Sequence, residues 1–215
     1  MKKDIAIYGA GGLGREVALL ISQLNEVNEK WNVTGFFDDG VVKGTEVDGL
    51  KILGGMKECS EWSRPLAIAL AMSNGTVKKT IYERIRSNAQ LTFPALIHPS
   101  VNLGDTRRNT WGQGVVVNAN TVFTTGIHLG NFVMVNLMCT IGHDVHLGDY
   151  SSVMPGCHIS GNVKIGTACM LGTGSKILQN LTVGNQSTIG AGAVVTKDAG
   201  DHAKLAGVPA RQMIT

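Results

Sequence analysis

Residues 129–158 read LGNFVM-VNLMCT-IGHDVH-LGDYSS-VMPGCH, five consecutive units of six residues. Each unit begins with an aliphatic residue, and the period continues to Val195. The twelve aliphatic positions are Leu129, Val135, Ile141, Leu147, Val153, Ile159, Ile165, Leu171, Ile177, Val183, Ile189 and Val195. At roughly one chance in four per position, such a run arises by accident on the order of once in ten million registers. The hexads therefore indicate one repeated structural unit.

Hexads of this kind predict a parallel β-helix, in which each unit forms one side of a triangular coil. Three hexads make a rung of about eighteen residues, and rungs stack at roughly 4.8 Å. The fifth place of each hexad is small or apolar, so Cys139, Cys157 and Cys169 are interpreted as inward packing residues. The register loosens between Ile97 and Phe123, which predicts an irregular first rung or two.

The first 96 residues have a different pattern, in which short apolar segments alternate with segments of helical spacing. This order predicts a small parallel sheet with Rossmann-like winding. We therefore expect a Rossmann-like α/β domain over 1–96, a β-helix over 97–198 and a C-terminal tail over 199–215.

The charge, the cysteine content and the apolar runs of the sequence argue against several classes of function. The formal charge of +3 is too small and dispersed to suggest nucleic acid as a partner. Four cysteines without paired spacing predict a reduced, cytoplasmic protein. The N-terminus reads as a strand and not as a signal peptide, and no apolar run approaches the length of a membrane span, so no membrane insertion is expected.

The complete sequence, from IYGAGGLGREV through FFDD and the hexads to AGVPAR, resembles the sugar O- and N-acetyltransferases related to sialic acid O-acetyltransferase. Its nearest branch acetylates the 4-amino group of a nucleotide-linked sugar. The resemblance implies a left-handed β-helix, although the general preference for right-handed crossovers would predict the opposite hand. It also implies a homotrimer that uses acetyl-CoA as its donor.

One corner of the β-helix carries the candidate catalytic residues. Because Ile141 points inward, His143 is expected at an outward corner with Asp144 beside it. Thr125 and Gly161, one rung away on either side, are small and predict open space around the imidazole. The resemblance implies that His143 is the general base and that Asp144 raises its basicity. A neutral imidazole near pH 7 can take the proton that an attacking amine or hydroxyl must lose.

The remaining histidines raise a metal alternative, because some β-helix enzymes of the carbonic anhydrase class bind zinc at a trimer interface. Such a site needs three converging histidines, and the register places His143, His146 and His158 apart. We therefore expect no metal. His128 and His146, eighteen residues apart, are predicted to stack as solvent-facing neighbours, and His158 to be solvated.

The motif at 9–14, GAGGLG, follows a strand and precedes a helix, a context that favours a phosphate near backbone N–H groups. Taken alone, the first domain suggests a dinucleotide-dependent dehydrogenase, but the β-helix leaves no second domain for hydride transfer. The resemblance implies instead that this domain holds the sugar nucleotide. The residues it places at that substrate are Gly11, Gly12, Leu13, Asp38, Asp39 and Asn74. Some relatives have His in place of Leu13, which leaves the sugar undefined.

The resemblance places the acyl-CoA in a groove between adjacent subunits. The residues that it assigns to this donor are Ser152, Thr173, Ala191 and Arg211. The predicted function is thus acetyl transfer to a nucleotide-linked amino sugar by direct attack. The alternatives are O-acetylation of a sialic-acid-type sugar, the zinc enzyme, and a β-helix that only senses nucleotides.

Overall fold

The computed structural model describes residues 2–213, and its first part is an α/β unit. The elements are β1 (Lys3–Tyr8), α1 (Gly12–Val27), β2 (Trp31–Phe37), β3 (Glu46–Val47), β4 (Leu50–Gly54), α2 (Met56–Ser60), β5 (Leu66–Leu70), α3 (Gly75–Ile85) and β6 (Leu91–Thr92). The sheet order is β3-β4-β2-β1-β5-β6, parallel except for the β3–β4 pair. This winding confirms the predicted Rossmann-like arrangement.

The second part is a coil of two-residue strands, which follow one another at six-residue spacing from residue 110 onward. These strands are β7 (Leu96–Ile97), β8 (Thr110–Trp111), β9 (Val116–Val117), β10 (Val122–Phe123), β11 (His128–Leu129), β12 (Met134–Val135), β13 (Thr140–Ile141), β14 (His146–Leu147), β15 (Ser152–Val153), β16 (His158–Ile159), β17 (Lys164–Ile165), β18 (Met170–Leu171), β19 (Lys176–Ile177), β20 (Thr182–Val183), β21 (Thr188–Ile189) and β22 (Val194–Val195). Two further strands, β23 (Lys204–Ala206) and β24 (Arg211–Gln212), follow.

These strands form three flat faces. The first face contains β7, β9, β12, β15, β18, β21, β23 and β24; the second contains β10, β13, β16, β19 and β22; the third contains β8, β11, β14, β17 and β20. Strand partners such as Met134 and Ser152 are eighteen residues apart, as the hexad count predicts. Strand β23 pairs with β21, so part of the segment after residue 198 extends the first face.

The aliphatic residues of the hexads form the core of the coil. All twelve are at most 3% exposed, and Cys139, Cys157 and Cys169 are buried among them as free thiols. Burying one such aliphatic side chain contributes roughly 1.5–3 kcal/mol. The stack of hexads is therefore the main source of stability in this part of the chain.

The corners of the coil also repeat. The backbone has a positive φ at every sixth residue from Gly114 to Gly192. Asp144 is one of these positions, with φ 58°. Aspartate tolerates this left-handed conformation better than most residues. The turn therefore brings the Asp144 side chain back beside its neighbour, His143.

The α/β unit is packed on the first face. Val116 and Met134, which point outward from that face, belong to the same apolar cluster as Val17 and Leu20 of α1. The other two faces carry no contact of this kind with the α/β unit among residues 2–213. No helix in this range is both long and apolar enough to cross a membrane.

Candidate functional site

His143 and Asp144 form a hydrogen-bonded pair on an exposed corner. The corner lies between β13 and β14, where the chain passes from the second face to the third. His143 Nδ1 and Asp144 Oδ2 are 2.9 Å apart, and the two side chains are 63% and 57% exposed. A proton on Nδ1 is thus fixed by the carboxylate, which leaves Nε2 as the basic nitrogen.

The imidazole is supported from the next rung. A Cβ atom added to Gly161 would overlap Nε2 of His143, so the ring lies directly against this glycine. A Cβ at Gly126, on the rung before, would overlap Oδ1 of Asp144 in the same way. The sequence predicted open space around the imidazole. In the structure, the ring of His143 itself occupies the space beside Gly161. Two glycines therefore make room for the pair and define its position.

His128, His146 and His158 lie on the flat faces. His128 and His146 pair across adjacent rungs of the third face with ring centroids 5.5 Å apart, which confirms the predicted stack. Nδ1 of His158 on the second face is 2.8 Å from the Thr140 hydroxyl. Among the residues described, no three His, Cys, Asp or Glu side chains are grouped closely enough to hold a metal ion.

The glycines of the motif at 9–14 differ in whether a side chain would fit at their position. A Cβ on Gly14 would overlap the carbonyl of Gly9, so Gly14 is required where α1 packs against the end of β1. Gly11 and Gly12 differ, because apart from the adjoining residues and the backbone of α1 no described atom lies within 4 Å of a Cβ built at either residue. Leu13 is half-buried and packs against the apolar cluster below α1. The two middle glycines thus leave the backbone of the α1 N-terminus accessible to a ligand.

Two carboxylates stand beside this loop, each held by the protein. Asp38 accepts hydrogen bonds from the backbone N–H groups of Ala10 and Gly40, both at 2.8 Å. Asp39 accepts from the Tyr8 hydroxyl and from the N–H of Met56, both at 2.7 Å. These contacts join segments that are distant in the sequence into one edge of the sheet.

The hydroxyl of Tyr8 is buried beneath this edge. Burial, followed by the hydrogen bond to Asp39, raises its pKa well above the ordinary value of 10.0. Tyr8 therefore remains a neutral donor and orients Asp39. This role was not predicted from the sequence, although the alternation of β1 indicates that Tyr8 faces one side of the sheet.

Asn74 lies at the same edge as the N-cap of α3. Its Oδ1 accepts a hydrogen bond from the Val77 N–H at 3.1 Å. The cap uses the amide oxygen, so a ligand would meet the NH2 group of this exposed side chain.

The residues predicted to bind the donor are separated by the structure. Thr173 and Ala191 stack on the corner between the first and second faces, where the Gly192 N–H donates to the Thr173 carbonyl at 2.8 Å. Arg211 is exposed on β24. Ser152 is 0% exposed, and its hydroxyl accepts a hydrogen bond from Lys78 at 2.9 Å. This burial under the α/β unit corrects the expectation that Ser152 borders the donor.

Within one chain, the histidine corner and the acceptor edge do not meet. The corner that bears His143 lies between the second and third faces, and so it is opposite the first face, on which the α/β unit is packed. A cleft of about 690 Å³ lies on yet another surface, at the amino ends of the strands beside Lys2, Lys30 and Trp31. A single chain therefore displays the parts of the candidate site on separate surfaces.

This architecture, a Rossmann-like unit on a hexapeptide β-helix with an exposed His–Asp pair, defines a class of acyltransferase. The family model of the PglD N-terminal domain matches residues 4–85. The acetyltransferase domain of PglB from Neisseria gonorrhoeae FA1090 is 33% identical, with 99% of this chain and 100% of that chain covered and a TM-score of 0.90. The same domain has been solved in complex with acetyl coenzyme A.

Two further structures share the fold. WeeI from Acinetobacter baumannii AYE is 28% identical over 99% of this chain and 100% of its own, with a TM-score of 0.85. PerB from Caulobacter crescentus, solved with CoA and GDP-perosamine, is 24% identical over 98% of this chain and 97% of its own, with a TM-score of 0.85. A sequence search of curated proteins found no match. The chain belongs to this family of left-handed β-helix sugar acetyltransferases, and it is an acyltransferase.

Proposed function

We propose that the protein transfers the acetyl group of acetyl-CoA to the amino group of a nucleotide-linked sugar, with His143 as general base. The observation that carries this proposal is the pair of His143 and Asp144, 2.9 Å apart on an exposed corner. The likeness to the PglB acetyltransferase domain, which binds acetyl coenzyme A, supports the choice of donor.

The chemistry follows from the pair. The sugar amine attacks the thioester carbonyl carbon, a C–N bond forms, and the C–S bond breaks as the CoA thiolate leaves. Nε2 of His143 accepts the proton that the attacking nitrogen loses, and Asp144 stabilises the resulting imidazolium through Nδ1. The proton then passes to the thiolate, which restores the neutral imidazole. No covalent intermediate on the protein is needed.

The acceptor is proposed to bind at the edge formed by the glycine loop and the two aspartates. Gly11 and Gly12 leave room for a diphosphate to approach the N–H groups at the start of α1. Asp38 and Asp39 are held in place beside the loop, where a carboxylate suits the hydroxyl and N–H donors of a nucleoside. The NH2 group of Asn74 adds a donor at the same edge.

We propose further that the working enzyme is a homotrimer with each active site shared between two chains. The position of His143, opposite the face that carries the acceptor domain, supports this arrangement. An acceptor bound to one chain would then meet the histidine of a neighbouring chain. The donor would lie in the groove between them, with Thr173 and Ala191 along its wall and Arg211 near the CoA phosphates.

A thiol-release assay tests the proposal. Purified protein is incubated with acetyl-CoA and UDP-, GDP-, dTDP- or CMP-linked 4-amino sugars, after a thermal-shift panel has identified the nucleotide that stabilises it. We expect sugars linked to one of these nucleotides to raise the melting temperature of the protein. The same sugars should cause the release of free CoA from acetyl-CoA. The matched control is the same sugar nucleotide with a hydroxyl in place of the amine. Release with the hydroxyl sugar alone would indicate O-acetylation, and stabilisation without any release would contradict the proposed transfer.

A further inference from the structure

A buried lysine joins the two parts of the chain. Lys78 lies in α3 and is only 1% exposed. Its Nζ donates to the Phe132 carbonyl at 2.9 Å, to the Ser151 carbonyl at 3.3 Å and to the Ser152 hydroxyl at 2.9 Å. All three acceptors belong to the β-helix, and none is a carboxylate. A buried ammonium without a counter-ion is costly, so these three acceptors are what make this arrangement stable.

The rest of α3 is shaped for the same contact. A Cβ on Gly75 would lie 2.6 Å from Cα of Ala168, so only glycine lets the first turn approach the coil this closely. One turn after Lys78, the ring of Tyr82 packs against Phe132 with centroids 4.5 Å apart. Positions 75, 78 and 82 thus form one stripe of the helix that rests on the β-helix.

The adjacent stripe of α3 packs against the α/β unit. Ile81 and Ile85 are buried in the cluster that includes Ile68 of strand β5. The N-cap of the helix, Asn74, stands at the proposed acceptor edge, four residues before Lys78. A single helix therefore carries an acceptor residue at its start and is fixed to the β-helix one turn later.

We infer that Lys78 is a positioning residue that fixes the acceptor-binding unit in one orientation on the β-helix. This inference rests on the proposed function for its kinetic consequence, since a tilt of α3 would move the bound sugar relative to the base. A displacement of about 1 Å at a reacting atom can cost on the order of 10²-fold in rate. The Lys78 side chain acts through the placement of the acceptor and touches no substrate.

The test compares Lys78→Met, Ser152→Ala and the exposed neighbour Lys79→Met. The positioning role predicts that Lys78→Met lowers kcat by about tenfold or more, measured well below its melting temperature, with acetyl-CoA KM and sugar-nucleotide Kd unchanged. Ser152→Ala, which removes one acceptor of three, should give a smaller loss of the same kind, and Lys79→Met should match the wild type. Wild-type kcat in Lys78→Met, or loss of nucleotide binding, would overturn the inference.

Hydrogen exchange provides a readout that does not depend on the enzymatic activity. In Lys78→Met the amides of α3 should exchange faster, while those of the β-helix core over 159–189 stay protected. If the helix kept wild-type protection, the lysine would not hold the two units together, whatever the reaction. If the wild type showed no transferase activity, the proposed function would be contradicted. Faster exchange of α3 in Lys78→Met would still support the positioning contact in that case.

Discussion

The two parts of the molecule place their functional side chains in different ways. In the β-helix, the six-residue period alone determines where a side chain points, so His143 occupies a corner because Ile141 is inward. In the α/β unit, the candidate residues meet only through long-range contacts, such as that from Tyr8 to Asp39 across 31 positions. In a repeat, the position of a site residue therefore follows from its place in the six-residue period. In a doubly wound sheet, the site residues come together only when the loops have packed against one another.

The strongest test of the register argument is His143→Ala. A side chain on an exposed corner contributes little to the stacked core, so the melting temperature should stay near that of the wild type. Loss of the general base should lower kcat by about 10²–10⁴, with acetyl-CoA affinity unchanged. The matched control is His146→Ala, three residues on and on a flat face. Equal damage from both substitutions would show that the period does not separate the base from its neighbours.

Gly161→Val tests whether the next rung positions the base. The new side chain would occupy the space of the imidazole, which is free to swing toward solvent. We expect kcat to fall by about 10²-fold with little change in melting temperature, because a displaced ring cannot reach the amine. Gln179→Val, in the same column one rung further, is the control and should be nearly silent. Wild-type kcat in the glycine variant would mean that catalysis does not require the ring to lie against Gly161.

Lys78 makes the contact between the two parts depend on pH. Burial lowers the pKa of its ammonium to about 7, from an ordinary value of 10.5. Between these values the unfolded chain keeps a proton that the folded chain has lost, so the free energy of unfolding rises with pH. From pH 7 to pH 9 the wild type should gain about 2 kcal/mol relative to Lys78→Met. Urea denaturation at both pH values measures the difference, and a constant difference would show that the ammonium keeps its ordinary pKa.

Gly11→Val tests the loop-built site in the α/β unit. A side chain here has space in the folded protein but would obstruct the approach of a diphosphate to the backbone. Acceptor KM should rise by about tenfold or more, while KM for acetyl-CoA is unchanged. Gly14→Ala is the contrasting variant, because its Cβ would overlap the Gly9 carbonyl. This variant should lower the melting temperature of the protein instead. Equal changes in both Michaelis constants for Gly11→Val would indicate misfolding.

The sequence predicted the β-helix closely because its period fixes every position independently of the rest of the chain. The twelve aliphatic residues are all buried, and His128 stacks on His146. The same period places Ser152 correctly on an outward position, but it contains no information about which face another unit covers. Burial of that serine therefore could not be predicted.

The α/β unit was less predictable. Strands β3 and β4 and helix α2 are short and lie between glycine-rich loops, so no window of the sequence shows a clear period there. Lys78 gave no signal either, because its acceptors are at least 54 positions away. Contacts of this range follow from tertiary packing and not from local pattern.

The most direct test of an active site shared between two chains is to combine two defective variants in one trimer. Differently tagged His143→Ala and Gly11→Val chains are co-expressed, and the mixed oligomer is purified through both tags. A site shared between chains predicts that the mixed oligomer regains activity, since in every trimer that contains both variants one of the three sites pairs an intact acceptor loop with an intact histidine. At an acceptor concentration well below the KM of the Gly11→Val variant, each variant alone should show at most about a tenth of the wild-type rate. A mixed oligomer as inactive as its parents would mean that one chain supplies both parts, which would contradict the shared site.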